Sequence, residues 1–394
     1  MRCIKTGGIY HPDEEVVRGS VLVFEGGAVT SVLDDVPGEA EVLLETDGYA
    51  VPGLVDAHSH SQIRPWEGDQ LEQMRAPAAE GAIRAATNLR RDLAAGTTTM
   101  RLMGAERLLD VRLAELEREG ELLGPRLLPC GVHLTPTGGH GVALTATDGE
   151  AAIRERIREN LAAGAHHVKY FATGGVSSRS GALDRAPYSD DEAAAIVDEA
   201  HRQGVHVATH AHGGAGARQA VEAGVDTVEH GAALETDLLD RIEERGQHVV
   251  GTFTILHEAR GIEGGDGDDP EVMAKVEQAR ERERETWSEL VERDVPIALG
   301  TDSMHGYLPA EVEHLVERGA SPARAVRAVT SEAARAARVA DRVGSLEPGK
   351  RADCVVVADP PDENPGTLAE PLAVLKGGRV VAEDGALVEA AGAD

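Results

Sequence analysis

Between residues 54 and 302 the chain repeats one piece of punctuation: a helical stretch, a glycine, then a short apolar strand. Stretch 72–93 runs to Gly96 before a strand at 97–101, 150–161 to Gly164 before 167–171, and 190–202 to Gly204 before 205–209. Stretch 215–221 runs to Gly224 before 226–229, and 235–244 to Gly246 before 248–252. A glycine just past a helix end supplies the left-handed backbone that closes the last turn. Stretches 107–119 and 271–293 lead in the same way to strands at 126–130 and 296–299, and a first strand stands at 54–57. Strands alternating with helices predict a parallel sheet, and eight is the number that closes a barrel. An open doubly wound sheet would carry a glycine-rich phosphate loop after its first strand. Here His58-Ser59-His60 follow instead, so the expected fold class is α/β, a (β/α)8 TIM barrel.

Both ends of the chain read differently. Residues 21–24 and 28–33 are β-rich runs about Gly26-Gly27, a hairpin signal. Residues 353–358, 373–376 and 379–382 repeat that character at the other end. The expected organisation is a barrel domain over 53–347 and a small β-sandwich formed by 1–52 with 348–394.

Composition narrows the function. Of 394 residues, 69 are Asp or Glu and 39 Lys or Arg, a net charge of −30 at pH 7. That charge repels phosphate, so neither nucleic acid nor an anionic membrane is expected as partner. Only five cations are lysines: Lys5, Lys169, Lys275, Lys350 and Lys376. Acid excess with lysine depletion and 3% aromatics suits a salty, halophile-like cytosol, where screening tames self-repulsion. Three scattered cysteines make no disulfide framework, and no apolar leader or 18-residue apolar run is visible. A cytoplasmic location is expected.

Barrel enzymes carry their chemistry at the C-terminal ends of strands. Strand one ends in His58-Ser59-His60, and two histidines at i, i+2 share a face. Strand four carries Lys169, strand five ends in His210-Ala211-His212, strand six in Glu229-His230, and strand eight in Thr301-Asp302. A lone His-x-His is weak evidence, and a lone Asp after a strand is usually a cap. Metal-competent residues on five separate strand ends are hard to assemble by chance. Imidazole and carboxylate suit zinc, with Mn, Fe, Co or Ni as alternatives.

These stretches resemble the amidohydrolase superfamily over nearly the whole chain. The resemblance is carried by Val51-Pro-Gly-Leu-Val-Asp-Ala-His-Ser-His60, Ala208-Thr-His-Ala-His-Gly213, Val228-Glu-His-Gly231, Leu299-Gly-Thr-Asp302 and Gly344-Ser-Leu-Glu-Pro-Gly-Lys-Arg-Ala-Asp353. Gly138-Gly-His-Gly141 and Val168-Lys169 look most like the branch with Xaa-Arg and Xaa-Lys dipeptidases and prolidases. The resemblance implies two divalent metal ions. His58, His60 and Asp302 would bind the more buried one, His210 and His230 the second, and a carbamylated Lys169 would bridge them. A free ammonium cannot ligate a cation, whereas a carbamate is an anionic two-oxygen ligand.

The implied chemistry is hydrolysis of a C–N bond in a dipeptide or N-acyl amino acid. A metal-bridging hydroxide would attack, with Asp302 as general base and then acid. His140, His212, Arg179 and Arg185 are the candidate substrate contacts. The glycine-rich acidic run 261–269 reads as a mobile flap, and His166, His167, His201, His206, His248 and His314 as structural or exposed. Competing readings are a cyclic-amide or carbamate hydrolase (imidazolonepropionase-like), a mononuclear deaminase, and a non-catalytic binding protein. Gly213-Gly214 stand where a deaminase would carry Glu, which counts against that reading. The substrate is expected to be a small molecule, and a homo-oligomer is possible.

Overall fold

The glycine punctuation marks real helix ends. Gly164, Gly224 and Gly246 adopt the left-handed conformation at the ends of helices Glu150–Ala163, Gly214–Ala223 and Thr236–Arg245. The structure is a computed structural model that describes residues 1–177 and 182–388.

Eight strands follow the expected order: β1 (Leu54–Ser59), β2 (Thr97–Leu102), β3 (Arg126–Leu128), β4 (Val168–Phe171), β5 (Val207–Gly213), β6 (Thr227–Ala233), β7 (His248–Gly251) and β8 (Ile297–Leu299). They form two arcs, β3-β2-β1 and β4-β5-β6-β7-β8, and every pairing is parallel. Hydrogen bonds also cross the gaps between the arcs. Leu134, just past β3, donates to the Lys169 carbonyl at 2.8 Å and accepts from the Phe171 amide at 3.1 Å. On the other side the Asp302 amide donates to the His58 carbonyl at 2.8 Å. Every residue of β1, β2, β4 and β5 is buried, as strands covered on both faces must be. Their outer residues pack under the helices, in an apolar cluster that includes Val168, Tyr170, Ile196, Val228, Leu239 and Trp287.

The hairpin expected at 21–33 forms, with Val21 opposite Leu33 and Glu25 opposite Ala28. It belongs to a four-stranded sheet built from the first 45 residues. A seven-stranded sheet joins both ends of the chain through Cys354–Val357 antiparallel to Tyr49–Pro52. Ile4, Leu22 and Phe24 of the first sheet share a buried cluster with Val356 and Leu375 of the second.

Two expectations need correction. The stretch 72–93 is not one helix: it breaks into Gln70–Arg75 and Ala78–Ala94, because Ala76 precedes Pro77 and takes an extended conformation. The run 261–269 is not a loose flap. It contains the short helix Ile262–Asp266, held by burial of Ile262, by an Arg280–Glu263 ion pair at 2.8 Å and by the Asp69 amide donating to Asp266 at 3.2 Å. Among the described residues no helix is long and apolar enough to cross a membrane.

Candidate active site

The strand ends converge. His58, His60, Lys169, His210, His230 and Asp302 line one pocket, together with His140 and His212. The ring centroids of His58 and His230 lie 4.7 Å apart, those of His210 and His230 4.6 Å, and those of His140 and His210 4.7 Å. Asp302 Oδ1 stands 3.3 Å from His58 Nε2 and 3.7 Å from His60 Nε2. His58, His230 and Asp302 form a ligand-competent trio whose donor atoms lie within 4.8 Å of one another. That trio crosses the two ligand sets implied by the resemblance.

The backbone is bent to make this possible. Residues His230, Asp302 and Ser303 have φ of +73°, +45° and +80°, a region that costs a side-chain-bearing residue energy and persists where surroundings enforce it. Gly300 permits the close approach of β8 to β1: a Cβ there would stand 2.4 Å from the His58 amide nitrogen. Asp56 ties the same junction, accepting from the His58 amide at 3.0 Å and from the Thr301 amide and hydroxyl at 3.1 and 2.7 Å.

Each of four imidazoles has one nitrogen engaged, leaving the other to face the pocket. His58 Nδ1 meets Glu229 at 2.7 Å, His60 Nδ1 the Gly104 carbonyl at 3.3 Å, His230 Nδ1 the Thr252 hydroxyl at 2.8 Å, and His210 Nε2 the Gly174 carbonyl at 3.1 Å. Holding one ring nitrogen this way fixes the tautomer and aims the other lone pair, as metal-ligating histidines require. Burial holds three of them below their ordinary pKa, His60 at about 3 and His210 and His230 well below 6.5, so these three stay neutral and able to donate.

Lys169 is 1% exposed, and its Nζ has no hydrogen-bond partner among the described residues. Burial lowers its pKa to about 8, against the pull of Glu229 and Asp302. At that value roughly a tenth of the amine is neutral and nucleophilic at pH 7. Burial alone would raise the Asp302 carboxyl, but the His58 hydrogen bond and the nearby Lys169 charge hold it below the usual range. The donor set therefore fits divalent cations: neutral imidazoles, an ionised carboxylate and an orphaned buried amine.

His212 stacks on His230 at 5.2 Å, and neither of its ring nitrogens has a hydrogen-bond partner among the described residues. His140 packs edge-on to Phe171 at 5.1 Å. Arg185 is exposed and lines a neighbouring recess with His212 and Lys275 rather than the main pocket. Arg179 lies outside the described residues. Two residues given no role in the sequence reading underpin the site. Glu229 is fully buried and bridges His58 to Arg101, whose guanidinium lies 2.9 and 3.1 Å from its two oxygens. Burial opposes its ionisation, but Arg101 draws its pKa down to about 2. Its position beside His230 was the only sequence signal. The pocket walls are apolar, with Ile63, Leu71, Met74, Val176, Ile255 and Leu256 among them.

Comparison with known proteins agrees with this geometry. A family model described as the amidohydrolase family matches residues 49–382. Ochratoxinase from Aspergillus niger is 28% identical over 415 residues, covering 96% of this chain and 86% of that protein. Imidazolonepropionase from Geobacillus thermodenitrificans is 26% identical, covering 87% and 85%. Among solved structures, a prolidase complexed with N-methylphosphonate-L-proline superposes with a TM-score of 0.89 at 28% identity, covering 97% of this chain and 99% of that one. The chain belongs to the amidohydrolase family and is a hydrolase acting on carbon–nitrogen bonds.

Proposed function

We propose that this site cleaves the amide bond of a dipeptide or N-acyl amino acid with two bound divalent ions, zinc being the best match to the donors. The two arcs of strands are read as one closed (β/α)8 barrel over 53–347, and the two outer sheets as a β-sandwich of 1–52 with 348–394. His58, His60 and Asp302 would hold one ion, His210 and His230 the other, and Lys169, as a carbamate, would bridge them. Such ions supply a water of lowered pKa and polarise a carbonyl oxygen.

The remaining steps belong to the protein. Asp302 takes the proton from the attacking water and passes it to the leaving nitrogen. Its orientation is fixed by the backbone bond to His58, so the carboxylate stays beside the reacting atoms throughout. His140 and His212 bind the substrate's carbonyl or carboxylate, and Arg179 or Arg185 pairs a substrate carboxylate. The apolar walls favour a substrate with an uncharged, hydrophobic side chain over an Arg or Lys dipeptide.

One observation carries this reading: imidazoles from three strand ends, Asp302 and the orphaned Lys169 amine all face one pocket. The likeness to an ochratoxinase and a prolidase supports amide substrates. The likeness to imidazolonepropionase keeps a cyclic-amide hydrolase as the second reading. The test is a library of dipeptides and N-acyl amino acids assayed on metal-loaded protein in low and high salt. Turnover of members with hydrophobic side chains is expected. Inactivity across the library with two ions bound, alongside turnover of a cyclic amide, decides for the second reading.

A further inference from the structure

Three histidines that the proposed reaction does not use meet at the opposite ends of the strands. His166 and His167 immediately precede β4, and His206 immediately precedes β5. Adjacent side chains on an extended strand diverge, but the backbone bends at 166–167 and brings both rings to the same partner. His167 stacks on His206 at 5.1 Å with planes 12° apart, and His166 meets His206 edge-on at 5.5 Å. One nitrogen from each ring lies within 4.8 Å of the other two.

These rings are poorly satisfied. His167 is 0% and His206 1% exposed. Neither nitrogen of His167, nor Nδ1 of His166, nor Nε2 of His206 has a hydrogen-bond partner among the described residues. A neutral imidazole always carries one N–H and one lone pair, so His167 leaves both a donor and an acceptor buried without a mate. Each such group forfeits the hydrogen bond it would make to water in the unfolded chain. The core could have been filled by apolar side chains at no such cost, so the arrangement points to a ligand.

We propose that His166, His167 and His206 form a second metal site, binding one divalent transition ion of the zinc class and tying β4 to β5. Three imidazoles are a complete protein ligand set for zinc, with water in the fourth position. His166 borders a surface cleft with Pro129, Gly164 and Arg342, which provides both the entry path and room for that water. A tetrahedral zinc site places its nitrogens about 3.3 Å apart, so no pair need close by more than about 1.5 Å. Burial keeps all three rings neutral, with lone pairs available near pH 7. The charge of Arg101 opposes a cation at all three rings and that of Arg338 at His206, but Arg101 is paired with both oxygens of Glu229 and Arg338 with Asp226. Arg342 stands half exposed at the cleft, where solvent screens it. Neither carboxylate nor thiolate is required, because imidazole alone suits zinc, copper and nickel.

The site is tested on the full chain in two ways. Crystals soaked in zinc chloride are measured on both sides of the zinc absorption edge. An anomalous peak among the three imidazoles is expected, separate from any peak near His58 and His230. Protein stripped with a chelator is then titrated with zinc ions by equilibrium dialysis, alongside His166→Ala and His206→Gln variants. Each variant should bind one ion fewer per chain than the parent. At zinc a hundredfold above its dissociation constant, the parent's Tm should rise roughly 3 °C more than that of either variant. Ordered water in place of an anomalous peak, with equal ion counts in parent and variants, would overturn the proposal. Should the variants fail to fold, the anomalous measurement on the parent decides alone. A peak only at His58 and His230 overturns this site and leaves the proposed reaction intact.

Discussion

The two histidine clusters stand at opposite ends of the same strands, and they differ in how their polar atoms are provided for. At the C-terminal end, His58, His60, His210 and His230 each have one nitrogen engaged by a carboxylate, carbonyl or hydroxyl. At the N-terminal end, His167 has neither nitrogen engaged among the described residues. The first arrangement is preorganised: the ring is aimed before anything binds. The second is adjustable, since rings with no competing bonds can rotate onto an ion. The first also carries an ionised carboxylate, a buried amine and positive φ at His230, Asp302 and Ser303. The second has only a bend at 166–167, with none of its three histidines at positive φ. A site that must hold a reacting geometry accepts strain, whereas a site that only joins two strands does not need it. Between the two lies the Arg101–Glu229 pair, which touches His58 directly and whose positive end is felt at His167 and His206.

If the C-terminal cluster alone does chemistry, Asp302→Asn should remove the proton carrier and lower kcat by about 10³-fold, with far-UV circular dichroism and Tm retained. A variant within tenfold of the parent would break the comparison at its strongest point. Lys169→Ala should come next: activity is lost and partly restored by a short carboxylic acid, and electron density in the parent should extend beyond Nζ. Absent density combined with an active variant removes the carbamate. Glu229→Gln tests the connecting pair. It should weaken metal binding at the His58 site 10–100-fold, measured by chelator competition. It should also destabilise the fold by about 3 kcal/mol on denaturant titration, because Arg101 loses its only ionised partner among the described residues, in a buried position. The smallest effect concerns salt. Raising sodium chloride from 0.1 to 1 M should raise Tm, as screening relieves a net charge of −30. Metal affinity at the buried clusters should change less than about threefold. A large loss of affinity with salt would mean that the ligands are more open to solvent than their burial indicates.

Much of the scaffold could be read in advance, because glycine caps and apolar strand runs are local signals. The hairpin at 21–33 formed for the same reason, since a Gly-Gly pair between β-rich runs encodes its own turn. The two departures have different origins. The break at Pro77 is a local proline effect inside an otherwise helical period. The run 261–269 looks featureless by composition, yet burial of one isoleucine and the pairing of Glu263 and Asp266 with partners elsewhere in the fold hold it in place. Among site residues, His58, His60, His210, His230 and Asp302 stood out because their motifs place them at strand ends. Glu229 did not stand out, since a carboxylate beside a histidine has no distinctive spacing. Arg101 was hidden in an ordinary strand, and its partner lies 128 residues away.

The amino-acid order by itself determined which segments become strand and helix and which side chains ride on the ends of the strands. Those properties depend on backbone preferences and periodicity over a few residues. Only the tertiary structure decided that His58 would face His230, that Glu229 would reach both His58 and Arg101, and that His166, His167 and His206 would gather under β4 and β5. Each of those meetings joins atoms dozens to hundreds of residues apart, and chain closure and packing set them rather than any local rule.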